Sequence, residues 1–147
     1  MIWRGPERDV IPASRELGIS QIVWSPLGQG ILTGKYLPGE AAPSDSRAAH
    51  ERMNYFMDRA GDQVLLERVQ RLRPVAEELG LTMAQLAIAW VLREENVAAA
   101  IIGATRPEQV EDNAAASGVQ LDAATLQRVD EILGDSVRWD PPASTPS

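Results

Sequence analysis

Two short stretches hold the residues best suited to chemistry. "VWSPLGQGILTGKY", residues 23 to 36, places Ser25, Gly28, Gly30, Gly34 and Lys35 behind an apolar run. "VAAAIIGATR", residues 97 to 106, places Gly103, Thr105 and Arg106 behind another. Glycines let backbone N–H groups come close to a ligand, and a neighbouring cation offsets negative charge, so each stretch reads as an anion cradle. In folds where strands alternate with helices, ligands sit at the carboxyl ends of strands, and a phosphate-bearing ligand suits both ends at once. A plainer reading stays open beside this one. A glycine-rich turn is often only a turn, Lys35 can be a solvated surface charge, and Arg106 followed by Pro107 can simply begin a helix. Neither stretch is a Walker loop or a GxGxxG fingerprint.

Other chemistry has less support in the residues. His50 is the only histidine, which excludes a histidine metal cluster and suggests a surface side chain. Tyr36 and Tyr55 have no lysine or histidine arranged beside them as a proton relay, so packing or loop anchoring is the reading for both. Ser14, Ser25 and Ser46 lack a G-x-S-x-G setting and make no claim as nucleophiles. Trp90, with Leu86, Ile88 and Val91, belongs to a core, whereas Trp24 could be core or could stack on a flat ring.

Composition narrows the class. A chain of 147 residues with 44% hydrophobic content can bury one core and is too short for two ordinary domains. Its 14 basic and 21 acidic residues leave a net charge of −7, which argues against general nucleic-acid binding and makes any phosphate affinity local. The absence of cysteine removes disulfides, thiolate nucleophiles and zinc–thiolate clusters, and suits a reducing compartment. No stretch reads as a signal peptide or is apolar enough to span a bilayer, so the expected location is cytoplasmic, with no membrane partner.

The elements that must position the two stretches follow from periodicity. "PERDVIPASREL", residues 6 to 17, predicts a helix with Pro6 in its first turn and Pro12 as a blemish, stopped by Gly18; "ISQIVWS" then predicts a buried strand. Residues 37 to 61 show no sustained period and read as a long functional loop with one helical turn near Tyr55. "DQVLLERVQRLRPVAEELG" predicts a helix kinked at Pro74 and closed by Gly80. Thr82 and Gln85 form a capping-box pattern ahead of "LAIAWVLREE", and each of these two helices should show one apolar face. A second strand in "VAAAIIGAT", a helix with Pro107 at its first position and a last helix beginning at Asp122 complete the order. Strands alternating with helices imply parallel pairing and an α/β architecture. The proline- and serine-rich tail should be frayed.

"WSPLGQGILTGKY", "SDSR" and "IIGATRPEQVEDN" together resemble the C-terminal part of the aldo-keto reductases, nearest to the branch of potassium-channel β-subunits and related bacterial reductases. The resemblance runs from residue 1 to about residue 135 and implies a (β/α)8 TIM barrel that binds NADP(H) across the strand C-terminal ends. It assigns residues 1–135 to the cofactor-binding part of such a barrel and 136–147 to a flexible tail. By position, Trp24, Ser25, Pro26, Leu27, Gly28 and Gly30 would line the nicotinamide-ribose and pyrophosphate path. Lys35 and Arg47 would lie near the phosphates, and Gly103 belongs to the second matched strand end. Thr105 and Arg106 would hold the 2′-phosphate, whose fit to a guanidinium fork favours NADPH over NADH. Gln109, Asp112 and Asn113 would surround the adenine and its ribose, with Asp112 standing where many relatives carry Glu. The loop 37–61 would be a flap over the cofactor.

The resemblance also implies something not found here. The family's catalytic Asp, Tyr, Lys and His lie in the N-terminal half of the barrel, and no position in this chain matches them. The expectation is therefore the last two barrel strands with flanking and C-terminal helices: a fragment, a truncated frame or one piece of a split enzyme. Two functions follow. One is the NADP(H)-binding portion of an oxidoreductase that reduces aldehydes or ketones once the other half is supplied. The other is a non-catalytic module that senses NADPH or self-associates as a homo-oligomer through open strand edges.

Overall fold

Two short β-rich runs pair side by side: β1, Gln21–Trp24, and β2, Val97–Ile101, form a two-stranded parallel sheet. The computed structural model describes residues 1–44, 46–49 and 59–140. Their register sets Ile22 opposite Ala99, Val23 opposite Ala100 and Trp24 opposite Ile101, with one irregularity between Gln21 and Ile22. Parallel strands need a long crossover, and among the described residues it contains three α-helices. These are α2, Gln63–Arg71, α3, Arg73–Glu78, and α4, Met83–Leu92; α1, Val10–Glu16, precedes β1, while α5, Pro107–Ala114, and α6, Ala123–Leu133, follow β2. No single helix among the described residues is long and apolar enough to cross a membrane.

Local chemistry explains most boundaries. The first expected helix is split into a 3-10 turn, Gly5–Glu7, and α1, because Pro6 suits the first turn while the Asp9 backbone leaves helical geometry. Pro12 is tolerated early in α1, where its missing N–H has no intrahelical partner to lose. Gly18 and Gly80 take the left-handed conformation expected of helix stops. The interruption expected at Pro74 appears as a one-residue break at Leu72 between α2 and α3, with Pro74 standing in the first turn of α3. Thr82 and Gln85 make the full capping box, Thr82 N–H donating to Gln85 Oε1 at 2.9 Å and Gln85 N–H to Thr82 Oγ1 at 3.1 Å. The loop 37–61 is described only in part. Among its described residues it holds a 3-10 turn, Arg47–Ala49, and the readings for His50 and Tyr55 lie outside the described residues, as does the tail beyond residue 140.

Leu65, Val69, Leu72, Val75, Leu86, Val129, Leu133 and Leu32 are almost wholly buried and join α2, α3, α4, α6 and the segment after β1 into one core. The one-faced pattern holds for α2, which buries Leu65, Leu66 and Val69. It fails for α4, which buries Met83 and every residue from Leu86 to Trp90, because α4 packs between β2 and the loop after β1. Trp90 is core as expected, gripped between two cations: Arg93 lies 3.5 Å and Arg4 4.5 Å from its ring centroid. Arg4 also reaches Asp130 of α6 at 2.6 Å, and Arg93 reaches Glu7 at 2.9 Å. Residues 136 to 140 lie along the N-terminal segment, where Arg138 N–H donates to Ile2 O at 3.0 Å and Arg4 N–H to Arg138 O at 2.8 Å.

Buried Arg59 ties these parts together by donating to Ser136 O at 2.8 Å and Asp62 Oδ2 at 3.0 Å. Asp62 is also the N-cap of α2, accepting from Leu65 N–H at 3.0 Å. Burial pushes its carboxyl up, but the Leu65 N–H and the Arg59 guanidinium outweigh burial and hold it below its ordinary value. A group lowered in the folded state stabilises above its unfolded value and loses that contribution as pH falls through the folded one. Asp62→Ala is expected to lower unfolding free energy at neutral pH by about 1–2 kcal/mol. In urea titrations across pH, the gap to wild type should close below the ordinary value of 3.8. A gap that does not change with pH would refute this role.

Candidate functional site

The parallel register brings both strand ends to one edge of the sheet, since Trp24 and Ile101 are partners. Everything the chain places after Trp24 and after Ile101 therefore leaves from the same side.

After Trp24 the backbone turns through a run of left-handed residues that most side chains avoid: Ser25 at φ 53°, Gly28 at 54°, Gln29 at 59°, Gly30 at 97° and Gly34 at 73°. The turn is closed internally. Gly28 N–H donates to Ser25 O at 3.0 Å, Gly30 N–H to Leu27 O at 3.0 Å, and the Thr33 hydroxyl to Gly30 O at 2.7 Å. Its underside is anchored by buried Ile31, Leu32 and Tyr36. Gln70 of α2 fastens the exit, its Nε2 donating to Gly34 O at 3.0 Å and Tyr36 O at 3.1 Å. Lys35 is exposed and folds back, so that a Cβ on Gly30 would sit 3.0 Å from Lys35 Cε and 3.4 Å from its Nζ. Space that a single methyl group would fill lies under the cation.

After Ile101 the chain exposes Gly103, Thr105 and Arg106 and enters α5 through Pro107. Arg106 makes no side-chain cap; Gln109 reaches back instead, its Oε1 accepting from Thr105 N–H at 2.8 Å and from the Thr105 hydroxyl at 3.2 Å. Gln109 thus holds Thr105 in place. Asp112 is exposed, its carbonyl accepting from Gln85 Nε2 at 2.8 Å, while Asn113 is turned inward and buried. Trp24 is 61% exposed in this chain and presents a flat aromatic face beside the two ends.

Of the residues singled out by sequence, Ser25, Pro26, Leu27, Gly28, Gly30 and Lys35 share one loop, Gly103, Thr105 and Arg106 share the neighbouring one, and Gln109 reaches back to it from the first turn of α5. Arg47 opens its own 3-10 turn, and its side chain lies outside the described residues. Gln29, Gln70 and Gln85 escaped sequence reading as positioning groups. Only Gln85 carried a signal, its capping-box spacing, and that says nothing of its second bond to α5.

The family model of the Aldo/keto reductase family matches residues 1–134. The chain belongs to the aldo/keto reductase family. Its relatives include a probable voltage-gated potassium channel subunit beta from Arabidopsis thaliana, 41% identical over 129 residues, covering 86% of this chain and 39% of the relative. A probable subunit of the same kind from Oryza sativa subsp. japonica is 40% identical over 126 residues, covering 86% and 38%. Among solved structures, glycerol dehydrogenase from Gluconobacter oxydans matches with a TM-score of 0.74 and 25% identity, over 98% of this chain and 42% of that one. This aldo/keto reductase chain spans about two fifths of the length of the relatives it matches. Its two parallel strands and surrounding helices fit as part of the barrel of that neighbour.

The cradle in this aldo/keto reductase chain depends on glycine at position 30. Gly30→Ala should lower stability in urea unfolding by about 1–2 kcal/mol, through its φ and the contact with Lys35. Gly61→Ala, with nothing among the described residues within 4 Å of an added Cβ, should be neutral or slightly stabilising. Equal effects at both positions would overturn the cradle.

Proposed function

We propose that this chain is the NADP(H)-holding portion of an oxidoreductase that reduces aldehydes or ketones, with the catalytic Asp, Tyr, Lys and His supplied by chain outside these residues. The observation that carries this reading is the juxtaposition of two strand ends, one a left-handed glycine loop with Lys35, the other exposing Thr105 and Arg106 at the start of α5. Family membership supports the reductase class.

The residues present fit the cofactor's chemistry. Arg106 is exposed and carries a planar fork of donors suited to the 2′-phosphate, and Gln109 holds the adjoining Thr105 by accepting from its N–H and its hydroxyl. Lys35, over the Gly30 cradle, would offset pyrophosphate charge, and Trp24 offers a face for an aromatic ring. Gly28 and Gly30 would let the loop backbone approach without a Cβ in the way. Asp112, exposed in the last turn of α5, would approach the adenosine end, whereas Asn113 is buried in this chain and is not presented there. When bound, the reduced nicotinamide supplies the hydride. The work of this chain is binding and orientation, so that a carbonyl delivered by the rest of the barrel meets a fixed ring.

A second reading rests on one observation: Ile22, Trp24 and Ile101 are 66%, 61% and 58% exposed on the sheet. A non-catalytic module that senses NADPH or self-associates would use such a face, and potassium channel beta subunits stand among the relatives. Light scattering separates the two, because a strictly monomeric chain removes self-association.

Titration of the purified chain with NADPH, followed by tryptophan fluorescence, tests the main reading. Saturable binding that prefers NADPH to NADH is expected, weakened roughly tenfold or more in Arg106→Ala, the loss of a charge-assisted hydrogen-bond pair. Equal affinity for the two dinucleotides, or an unchanged variant, would refute the assignment of Arg106.

A further inference from the structure

We propose that Gln29 is a positioning residue that sets the hydrogen-bonding sense of Ser25, an inference that rests on the dinucleotide reading of the loop. The Gln29 side-chain Nε2 donates to Ser25 Oγ at 2.8 Å, four residues back across the turn. An amide N–H can only donate, so it takes one of the two lone pairs of the Ser25 oxygen and leaves the hydroxyl its own proton to give. Ser25 is thereby held as a donor, suited to an acceptor oxygen of the ligand, whether amide carbonyl or phosphate.

The backbone gives independent reason to see this contact as more than incidental. Both partners are non-glycine residues held left-handed, Ser25 at φ 53° and Gln29 at φ 59°, and Gln29 stands between glycines at 28 and 30 that adopt the same region freely. Asparagine or glycine would meet the backbone requirement at position 29 with less strain. Asparagine, one methylene shorter, would not span the turn to Ser25. Glutamine therefore satisfies the side-chain contact at the expense of the backbone, as expected where positioning rather than stability is selected.

The test compares wild type, Gln29→Asn, Ser25→Ala and the double variant in the full chain, by NADPH titration, thermal unfolding and amide hydrogen exchange of residues 25 to 34. Gln29→Asn should leave the melting temperature unchanged or raised, weaken NADPH roughly fivefold, and quicken exchange in the loop. In the Ser25→Ala background the same change should weaken binding no further, because the group it acts through is gone. Undiminished NADPH affinity in Gln29→Asn, or additive losses in the double variant, would overturn the proposal. Should wild type itself fail to bind NADPH, the dinucleotide reading falls while exchange still decides the clamp. Unaltered exchange in Gln29→Asn would then overturn it, and faster exchange at an unchanged melting temperature would uphold it.

Discussion

The parallel pairing of β1 with β2 is the constraint on which the rest of this chain depends. Once Trp24 and Ile101 are opposite one another, the intervening chain must travel the length of the sheet and return. That path is filled by α2, α3 and α4, with α4 laid against β2. This explains why α4 buries apolar residues on more than one face. It has the sheet on one side and the loop after β1 on another, so Met83 and Leu86 to Trp90 are buried while Ala84, Gln85, Val91 and Leu92 stay partly exposed. Two strands alone offer little core, and stability comes from the helices gathered around Leu65, Val69, Leu86 and Val129.

Arginine carries much of the long-range connection. Arg4 and Arg93 flank Trp90 and reach Asp130 and Glu7, linking the N-terminal segment to α4 and α6. Arg59 links α2 to Ser136. Guanidinium suits these positions because it is weakly hydrated, stacks on indole and satisfies several carbonyls from one rigid plane. The same property makes these contacts unforgiving, since a buried guanidinium without its partner is left with charge and no solvent.

The loop after β1 is built on the opposite principle. Five of its residues sit in a region of backbone space that costs most side chains free energy, and the strain is held by Ile31, Leu32 and Tyr36 below and by Gln70 at the exit. Such over-determined strain collects at binding sites, where a fixed backbone spares the ligand the work of ordering it. The neighbouring loop is ordered more cheaply, by Gln109 closing on Thr105.

Residue pattern alone established the α/β alternation, the Thr82–Gln85 capping box, the stops at Gly18 and Gly80, the core role of Trp90 and the two candidate strand ends, because each rests on interactions within a few residues of chain. The interruption expected at Pro74 falls at Leu72, between α2 and α3, because proline supplies no N–H to the carbonyl four residues before it. Tertiary structure alone decided that Trp24 faces outward, that α4 buries more than one face, that Arg4 and Arg93 share one indole, and that Gln85 reaches Asp112. The reason is the same in each case. These outcomes depend on which distant surface arrives beside a residue, and neither periodicity nor spacing records that.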